Sequence, residues 1–429
     1  MLLLALTAVI TPTSSAAASA RPDVEVDFAR SSHVGNALGF MHGGESLLLS
    51  DVARRFRARA QQLQPGIWRG VPQQWSLNLS GVAASGAQPI VQLGDMWGLP
   101  GHWPKVWPYE DLSAYSAWVK AKAAQLARQF PTGAIWVDVW NEPDTAKFWP
   151  TWKDPKLAGY MRTFLEAEHV LRHELGSRVK LIGPSTSGNA TLWTGRLLSY
   201  CAAHGCRVDA VAWHVCHGGP KMMSGLGSAL KRARAKASED PVWRRALSSR
   251  PKFIVTEYTP IGERSKPGAL MAYWSQLESG GAGGAAFATW RTGASQDGLL
   301  DSLLDIDGRP RTTWWAAKSY SSGRQSRASA STSSPLWPVL ASKTDASGAK
   351  QVMLGSWGPE FGHVRLSLSG LPRTALRVGM QVMRPVSAPW TGADKAPETL
   401  SRGLIHPRHG RANLSVEVPR GSAVIITLR

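Results

Sequence analysis

The sequence predicts an α/β protein, a (β/α)8 TIM barrel followed by a small C-terminal β-sandwich domain. Three observations carry that expectation. From about residue 36 to 320, short apolar runs alternate with helical stretches at intervals of roughly 25 to 45 residues, the βα rhythm of a parallel sheet. Eight such runs can be read, which favours a closed ring over an open sheet. Beyond Tyr320 the composition turns Ser-rich and then breaks into short strand-like runs between turn residues. At 429 residues the chain is long enough for a barrel of about 250 residues or more and a second, smaller core.

In chain order, residues 1–20 read as a signal peptide: Met1 to Ile10 is apolar, and small and polar residues lead to Ala18-Ser19-Ala20. No Lys or Arg precedes Arg21, so the usual basic start is missing. The expected location is outside the cell or in the periplasm or cell envelope. The barrel is expected over residues 21–322. Its strands are read at Leu38–Met41, Gly66–Trp68, Pro89–Leu93, Ile135–Trp140, Val179–Ile182, Ala210–Trp213, Phe253–Thr256 and Gly284–Thr289. Apolar residues at helical spacing mark Leu112–Phe130, Leu157–Leu175, Leu192–His204, Leu226–Ala237 and Gly268–Ser279. Residues 323–335 read as a Ser-rich joint. Residues 336–429 read as the β-sandwich, with strands at Val352–Trp357, Val364–Leu368, Arg377–Met383, Ala412–Val418 and Ala423–Leu428.

Composition narrows the function classes. No stretch after the N-terminus approaches the roughly 20 apolar residues of a membrane span. Lys and Arg total 49 against 30 Asp and Glu, a net charge of +19. Residues 324–429 hold 14 basic and 5 acidic side chains. A second basic cluster, Lys231-Arg-Ala-Arg-Ala-Lys236 with Arg244 and Arg245, falls on an expected helix. Such charge suits an acidic glycan or the cell envelope as well as a plain solvated surface. Nucleic acid is disfavoured, because no zinc-finger spacing, RNP motif or basic zipper accompanies it. Cys201 and Cys206 flank a turn that can pair them in a disulfide. Cys206, His214, Cys216 and His217 match no standard zinc spacing.

The chemistry lies in two segments. Ala134-Ile-Trp-Val-Asp-Val-Trp-Asn-Glu-Pro143 and Lys252-Phe-Ile-Val-Thr-Glu-Tyr-Thr-Pro260 each read as a buried strand delivering a carboxyl at its C-terminal end. Glu142 and Glu257 stand 115 positions apart, the length of three ordinary βα units. Strands 4 and 7 of an eight-strand ring lie nearly opposite and open to one mouth, so the two carboxyls can converge. A retaining glycosidase needs such a pair about 5 Å apart, one as nucleophile and one as acid/base. Asn141 can bond the sugar 2-hydroxyl, which makes Glu142 the acid/base and Glu257 the nucleophile, although chemistry alone permits the reverse.

Further candidates surround the pair. Trp290, ending strand 8, can floor the subsite of the scissile sugar. Arg69 either braces Glu257 and keeps it ionised or serves as a structural ion pair. The chain has 20 Trp, and Trp97, Trp103, Trp107, Trp149 and Trp152 fall in expected loops, where indoles stack on sugar faces and suggest extended subsites and endo action.

Trp140-Asn141-Glu142-Pro143 with Thr256-Glu257 resembles clan A of the glycoside hydrolases, retaining enzymes on a (β/α)8 barrel. Gly39-Phe40-Met41-His42-Gly43, Val139 to Asp144, a strand ending in His214 and a β-sandwich after the barrel are most similar to family 39. That family includes β-xylosidases, α-L-iduronidases and endo-acting exopolysaccharide hydrolases. The resemblance covers most of residues 36–320. It implies that His214 is the strand-6 histidine beside the nucleophile, the alternative being a satisfied core histidine, and it places His42 near the sugar. Similar enzymes often carry Tyr two residues after that histidine and Trp after the nucleophile, where this chain has Cys216 and Tyr258.

The expected activity is therefore retaining glycoside hydrolysis of an extracellular or cell-envelope polysaccharide or oligosaccharide. It needs no metal and no other cofactor. The positive charge favours an acidic polymer, with neutral xylan, arabinan or galactan open. Two rivals remain: a non-catalytic glycan-binding barrel, and a barrel metallohydrolase using His42, His214, His217 and Glu257.

Overall fold

The computed structural model describes residues 23–31, 35–41, 51–70, 82, 85–94, 97, 106–188, 191–216, 219, 223–259, 264–288, 303–305, 307–343, 348–358, 361–386 and 395–429. The chain runs through β1 (Val24–Ser31), α1 (Asp51–Leu63), β2 (Ile67–Gly70), β3 (Gln88–Gln92), α2 (Leu112–Gln129), β4 (Ile135–Asp138), α3 (Ala158–Leu175) and β5 (Val179–Thr186). It continues through α4 (Thr191–His204), β6 (Val208–Val215), α5 (Leu226–Glu239), α6 (Pro241–Ala246), β7 (Leu247–Tyr258), α7 (Pro267–Gly280), β8 (Gly284–Phe287) and α8 (Thr312–Ser322).

Strands β2 to β8 pair in sequence order, each parallel to the next. The sheet is barrel-like, because Phe40 forms parallel bridges to Trp68 in β2 and Phe287 in β8. Phe40 donates its N–H to Ile67 at 3.1 Å, and Met41 donates to Phe287 at 3.0 Å. The first expected strand thus joins the ring as a bridge rather than a full strand. The fully buried run of β6 shows why these strands read as continuous apolar segments: one face meets the lumen and the other the helices. Ile67, Ile90, Ile182, Ala210, Ala212, Ile254 and Ala286 form the lumen cluster, one or two from almost every strand.

Local chemistry sets the helix ends. Asp111 caps α2 by accepting from the Ala114 N–H at 2.9 Å. Asp240 caps α6 through the Val242 and Trp243 N–H groups, with Pro241 at the first helical position. α7 starts at Pro267 and stops at Gly281, whose φ of 71° is left-handed. The Cys201–Cys206 disulfide joins the end of α4 to the turn before β6, the pairing the sequence favours.

The second layer departs from expectation. Its strands are β9 (Arg327–Thr332), β10 (Val339–Lys343), β11 (Lys350–Gly355), β12 (Gly362–Ser369), β13 (Leu376–Met383), β14 (Glu398–Ile405), β15 (Ala412–Val418) and β16 (Ala423–Leu428). Together with β1 they form one nine-stranded sheet in the order β14-β13-β16-β11-β10-β9-β1-β12-β15. The strands are joined in one continuous hydrogen-bonded ladder rather than in two separate sheets. Its two wings still share one core, because Val24, Leu366 and Val416 cluster with Val352, Val378 and Ile426. The Ser-rich stretch 323–335 is not merely a joint, since β9 lies within it. Its backbone pairs antiparallel to both β1 and β10, which low-complexity Ser and Ala do not hinder. β1 likewise belongs to this sheet rather than to the barrel expected over 21–322.

The two layers meet at α7. Gly268 donates its N–H to Gly421 at 3.1 Å, and a Cβ at Gly268 would stand 2.1 Å from the Ser356 carbonyl oxygen. Arg327 of β9 forms an ion pair with Glu278 of α7 at 3.0 Å, with side chains only 2% and 6% exposed. Breaking a buried pair strands the other charge without compensation. Arg327→Ala is expected to destabilise the fold by about 3–5 kcal/mol, read as a lowered urea midpoint.

Candidate active site

Strand alternation builds the site. Side chains two apart share a face, so the lumen positions Ile67, Trp136 and Ala212 are followed on the same face by Arg69, Asp138 and His214. At the C-terminal rim the apolar lumen therefore gives way to charge. Regular alternation from Ile254 would turn Thr256 inward and Glu257 outward. The β6–β7 register instead pairs Trp213 with Val255 and His214 with Glu257, skipping Thr256. This bulge re-aims Glu257 into the lumen beside His214.

Glu142 arrives differently. β4 ends at Asp138, and Glu142 lies four residues beyond it in a turn with φ of 41°. A non-glycine residue there costs on the order of 1–3 kcal/mol and persists only where the surroundings impose it. Its N–H donates to Ser185 at 2.9 Å, and its carbonyl accepts from the Thr145 N–H at 3.0 Å. Asp144 ties the same turn to the end of β5 through the Ser187 N–H and hydroxyl, both at 2.9 Å.

One buried guanidinium organises these parts. Arg69 donates to Glu257 Oε1 at 2.5 Å, to Asp138 Oδ2 at 2.7 Å and to Asn141 Oδ1 at 2.8 Å. Sequence reasoning found Arg69, Asn141 and Glu257 but missed Asp138, whose place two residues after the lumen residue Trp136 was the available signal. Burial pushes the Asp138 carboxyl up, against the downward pull of Arg69 and of the Ser185 hydroxyl. His214 is fully buried between the glutamates, with Nδ1 2.8 Å from Glu142 Oε1 and 3.4 Å from Glu257 Oε2. Facing two acceptors, Nδ1 carries the proton. One ligating atom from each of Glu142, His214 and Glu257 lies within 4.8 Å of the others. This is the cluster among the described residues that can hold a cation, although the Arg69 charge already sits against Glu257.

Other candidates fare unevenly. Trp149 is fully buried, edge-on to Trp107 and Trp140, and donates its indole N–H to Asp154 at 2.9 Å. With no exposed face it is a packing residue rather than a sugar platform. Trp97 is half-buried, edge-on to Tyr115 and Trp118 of α2. His42, His217 and Trp290 lie outside the described residues. Tyr258, next to Glu257, faces the helix layer, where Trp274 donates to its hydroxyl at 2.9 Å. Arg69 and His214 hold the two oxygens of Glu257, so its orientation is set without a tyrosine at Cys216.

The chain matches no known family profile and no curated protein sequence. Solved structures do match along nearly its whole length. A GH39 enzyme from Xanthomonas axonopodis pv. citri superposes with a TM-score of 0.67 at 14% identity, covering 96% of this chain and 98% of that one. A monomeric β-xylosidase from Caulobacter crescentus gives 0.69 at 14%, covering 95% and 99%. This chain has the fold of those glycoside hydrolases. A protein of Neocallimastix frontalis superposes with a TM-score of 0.77 at 19% identity, covering 95% and 99%. A GH51 α-L-arabinofuranosidase from Thermotoga petrophila is similar too, with a TM-score of 0.59 at 12% identity, covering 95% and 100%. The mixed α/β architecture is thus shared with clan A structures, including family 39.

Burial first, then the nearby Glu257 and Glu142, push the Cys216 thiol well above its ordinary value of 9.0. A raised pKa means stability that is present below the unfolded thiol's value and lost as pH rises beyond it. Ellman's reagent should find no reactive thiol in the native protein at pH 8 and one per chain after denaturation, since Cys216 is the free cysteine.

Proposed function

We propose that the protein is a retaining glycoside hydrolase of the family 39 type, with a (β/α)8 catalytic barrel. The observation that carries this reading is that the Glu142 and Glu257 carboxyls converge on His214, bringing one oxygen of each to within 4.8 Å of the other. Retaining enzymes hold theirs about 5–5.5 Å apart, whereas inverting enzymes need about 6.5–9.5 Å to admit a water. The shared fold of a β-xylosidase and an arabinofuranosidase supports the glycosidase reading.

Glu257 is the nucleophile. Arg69 holds its Oε1 at 2.5 Å, and Oε2, with the longer 3.4 Å contact to His214, attacks the anomeric carbon. As the glycosidic C–O bond breaks, Glu142 gives its proton to the leaving oxygen. A water then attacks the glycosyl-enzyme, Glu142 takes the water's proton, and Glu257 leaves as carboxylate. Arg69 holds Oδ1 of Asn141, so the amide presents Nδ2 as a donor to the sugar 2-hydroxyl. The His214 Nδ1–H couples the two carboxylates.

The substrate is a polysaccharide or oligosaccharide outside the cytoplasm. The N-terminal apolar segment supports export, and the net charge of +19 supports an acidic polymer. Exposed Trp152 supports subsites beyond the scissile bond and endo action. The metal-dependent alternative rests on the Glu142, His214 and Glu257 cluster. Undiminished turnover in EDTA would remove it.

Proton NMR of the first-formed product should show the substrate's anomeric configuration retained. Initial inversion would sink the mechanism. Glu142→Gln should lower kcat by about 10²–10⁴-fold on substrates with poor leaving groups and far less on activated aryl glycosides.

A further inference from the structure

Behind the two glutamates lies a pair of residues closed to solvent. Asp138 and Ser185 are both fully buried, near the C-terminal ends of the adjacent strands β4 and β5. Ser185 donates its hydroxyl to Asp138 Oδ1 at 2.8 Å, and Arg69 donates Nε–H to Asp138 Oδ2 at 2.7 Å. Each carboxyl oxygen therefore serves a different arm of the site. Through Oδ2 and Arg69 it reaches Glu257 Oε1, 2.5 Å from the guanidinium. Through Oδ1 and Ser185 it reaches Glu142, whose N–H donates to the Ser185 carbonyl at 2.9 Å. In front, the His214 Nδ1–H lies 2.8 Å from Glu142 Oε1 and 3.4 Å from Glu257 Oε2. The glutamates are thus joined twice, once by His214 and once by Ser185, Asp138 and Arg69.

The backbone at Ser185 shows that this rear connection is not incidental. Its φ is 53°, and the β5–β6 register skips it, pairing Pro184 with Ala212 and Thr186 with Trp213. A bulge position with left-handed φ suits glycine, whereas a serine there is strained. Glu142, to which Ser185 is bonded, is left-handed as well, at 41°. What serine adds over glycine is one hydroxyl, and that hydroxyl is committed to Asp138. Backbone strain retained at two bonded residues beside a reaction centre points to a use in the reaction rather than in folding.

We propose that Asp138 is a positioning residue that couples the two catalytic carboxyls, holding Glu257 through Arg69 and Glu142 through the Ser185 hydroxyl. The roles of nucleophile and acid/base are those of the glycoside hydrolase reading, on which this assignment rests. Neither Asp138 nor Ser185 meets the sugar. Asp138 fixes the separation of the glutamates, which a double displacement needs near 5 Å in both of its steps. The Ser185 hydroxyl serves the acid/base arm alone, and the Asp138 carboxylate serves both arms.

The His214 Nδ1 proton reports this coupling with no substrate present. A buried imidazole N–H held between two carboxylates gives a downfield proton resonance, identified by its loss in His214→Gln. Asp138→Asn keeps the shape of the side chain and removes its charge, whereas Ser185→Gly removes the hydroxyl and relieves the left-handed backbone. Both should move the resonance. Asp209→Asn, at the other end of β6 where the carboxylate pairs with Arg172, should leave it in place. Kinetics on 2,4-dinitrophenyl and phenyl glycosides of one sugar separate the arms. Ser185→Gly should lower kcat/KM about tenfold or more on the phenyl leaving group, which needs the acid, and far less on dinitrophenyl, with a melting temperature near that of the wild type. Asp138→Asn should lower both, because the nucleophile acts on each. A role in folding alone gives no such split, and Ser185→Gly keeps the test whole where Asp138→Asn does not fold. A wild-type resonance in Ser185→Gly, or equal losses on the two leaving groups in that variant, would overturn the proposal. A wild-type protein that cleaves neither glycoside would instead count against the glycosidase reading, and the resonance would still decide the coupling.

Discussion

A single buried guanidinium holds the site together. Arg69 is fully buried and reaches three acceptors on three segments: Asp138 at the end of β4, Asn141 in the following turn and Glu257 in β7. A charge taken so far from water is tolerable only when every donor it aims inward is answered. That condition fixes the segments relative to one another more tightly than apolar packing does, because the planar fork accepts few geometries. Two carboxylates share its one charge, and Asp138 accepts a further hydrogen bond from Ser185 at 2.8 Å. The positions of Glu257 and of Asn141, and through the turn that of Glu142, all follow from it.

Much of this was legible in the sequence. The seven parallel strands fall where apolar runs between turn residues placed them, because burial on both faces leaves a continuous apolar signature. Helices α2, α3 and α4 match to within a residue or two, since their apolar periodicity is strong. The short helix α6 was missed because six residues carry too little period to read, and its Asp240-Pro241 start was the remaining clue.

The misreadings have physical causes as well. Strand alternation cannot reveal the bulge at Thr256, so a regular reading of β7 would have aimed Glu257 at the helices. Trp149 was placed in a loop, correctly, but a loop residue can still be core when the loop folds over an aromatic cluster. The Ser-rich segment looked like a tether because composition reports side chains, while β9 is held by backbone pairing on both edges.

The place of β1 bears on how the chain reaches this state. The strand is synthesised before every other element described, yet its neighbours in the sheet are β9 and β12, and Asp23 beside it contacts Arg365, 342 positions away. Until those partners emerge, both edges of β1 stay unsatisfied, the condition that invites pairing with a neighbouring chain. Closure of the second sheet is therefore a high-contact-order event, with the whole barrel-forming segment lying between β1 and its partners in the sequence.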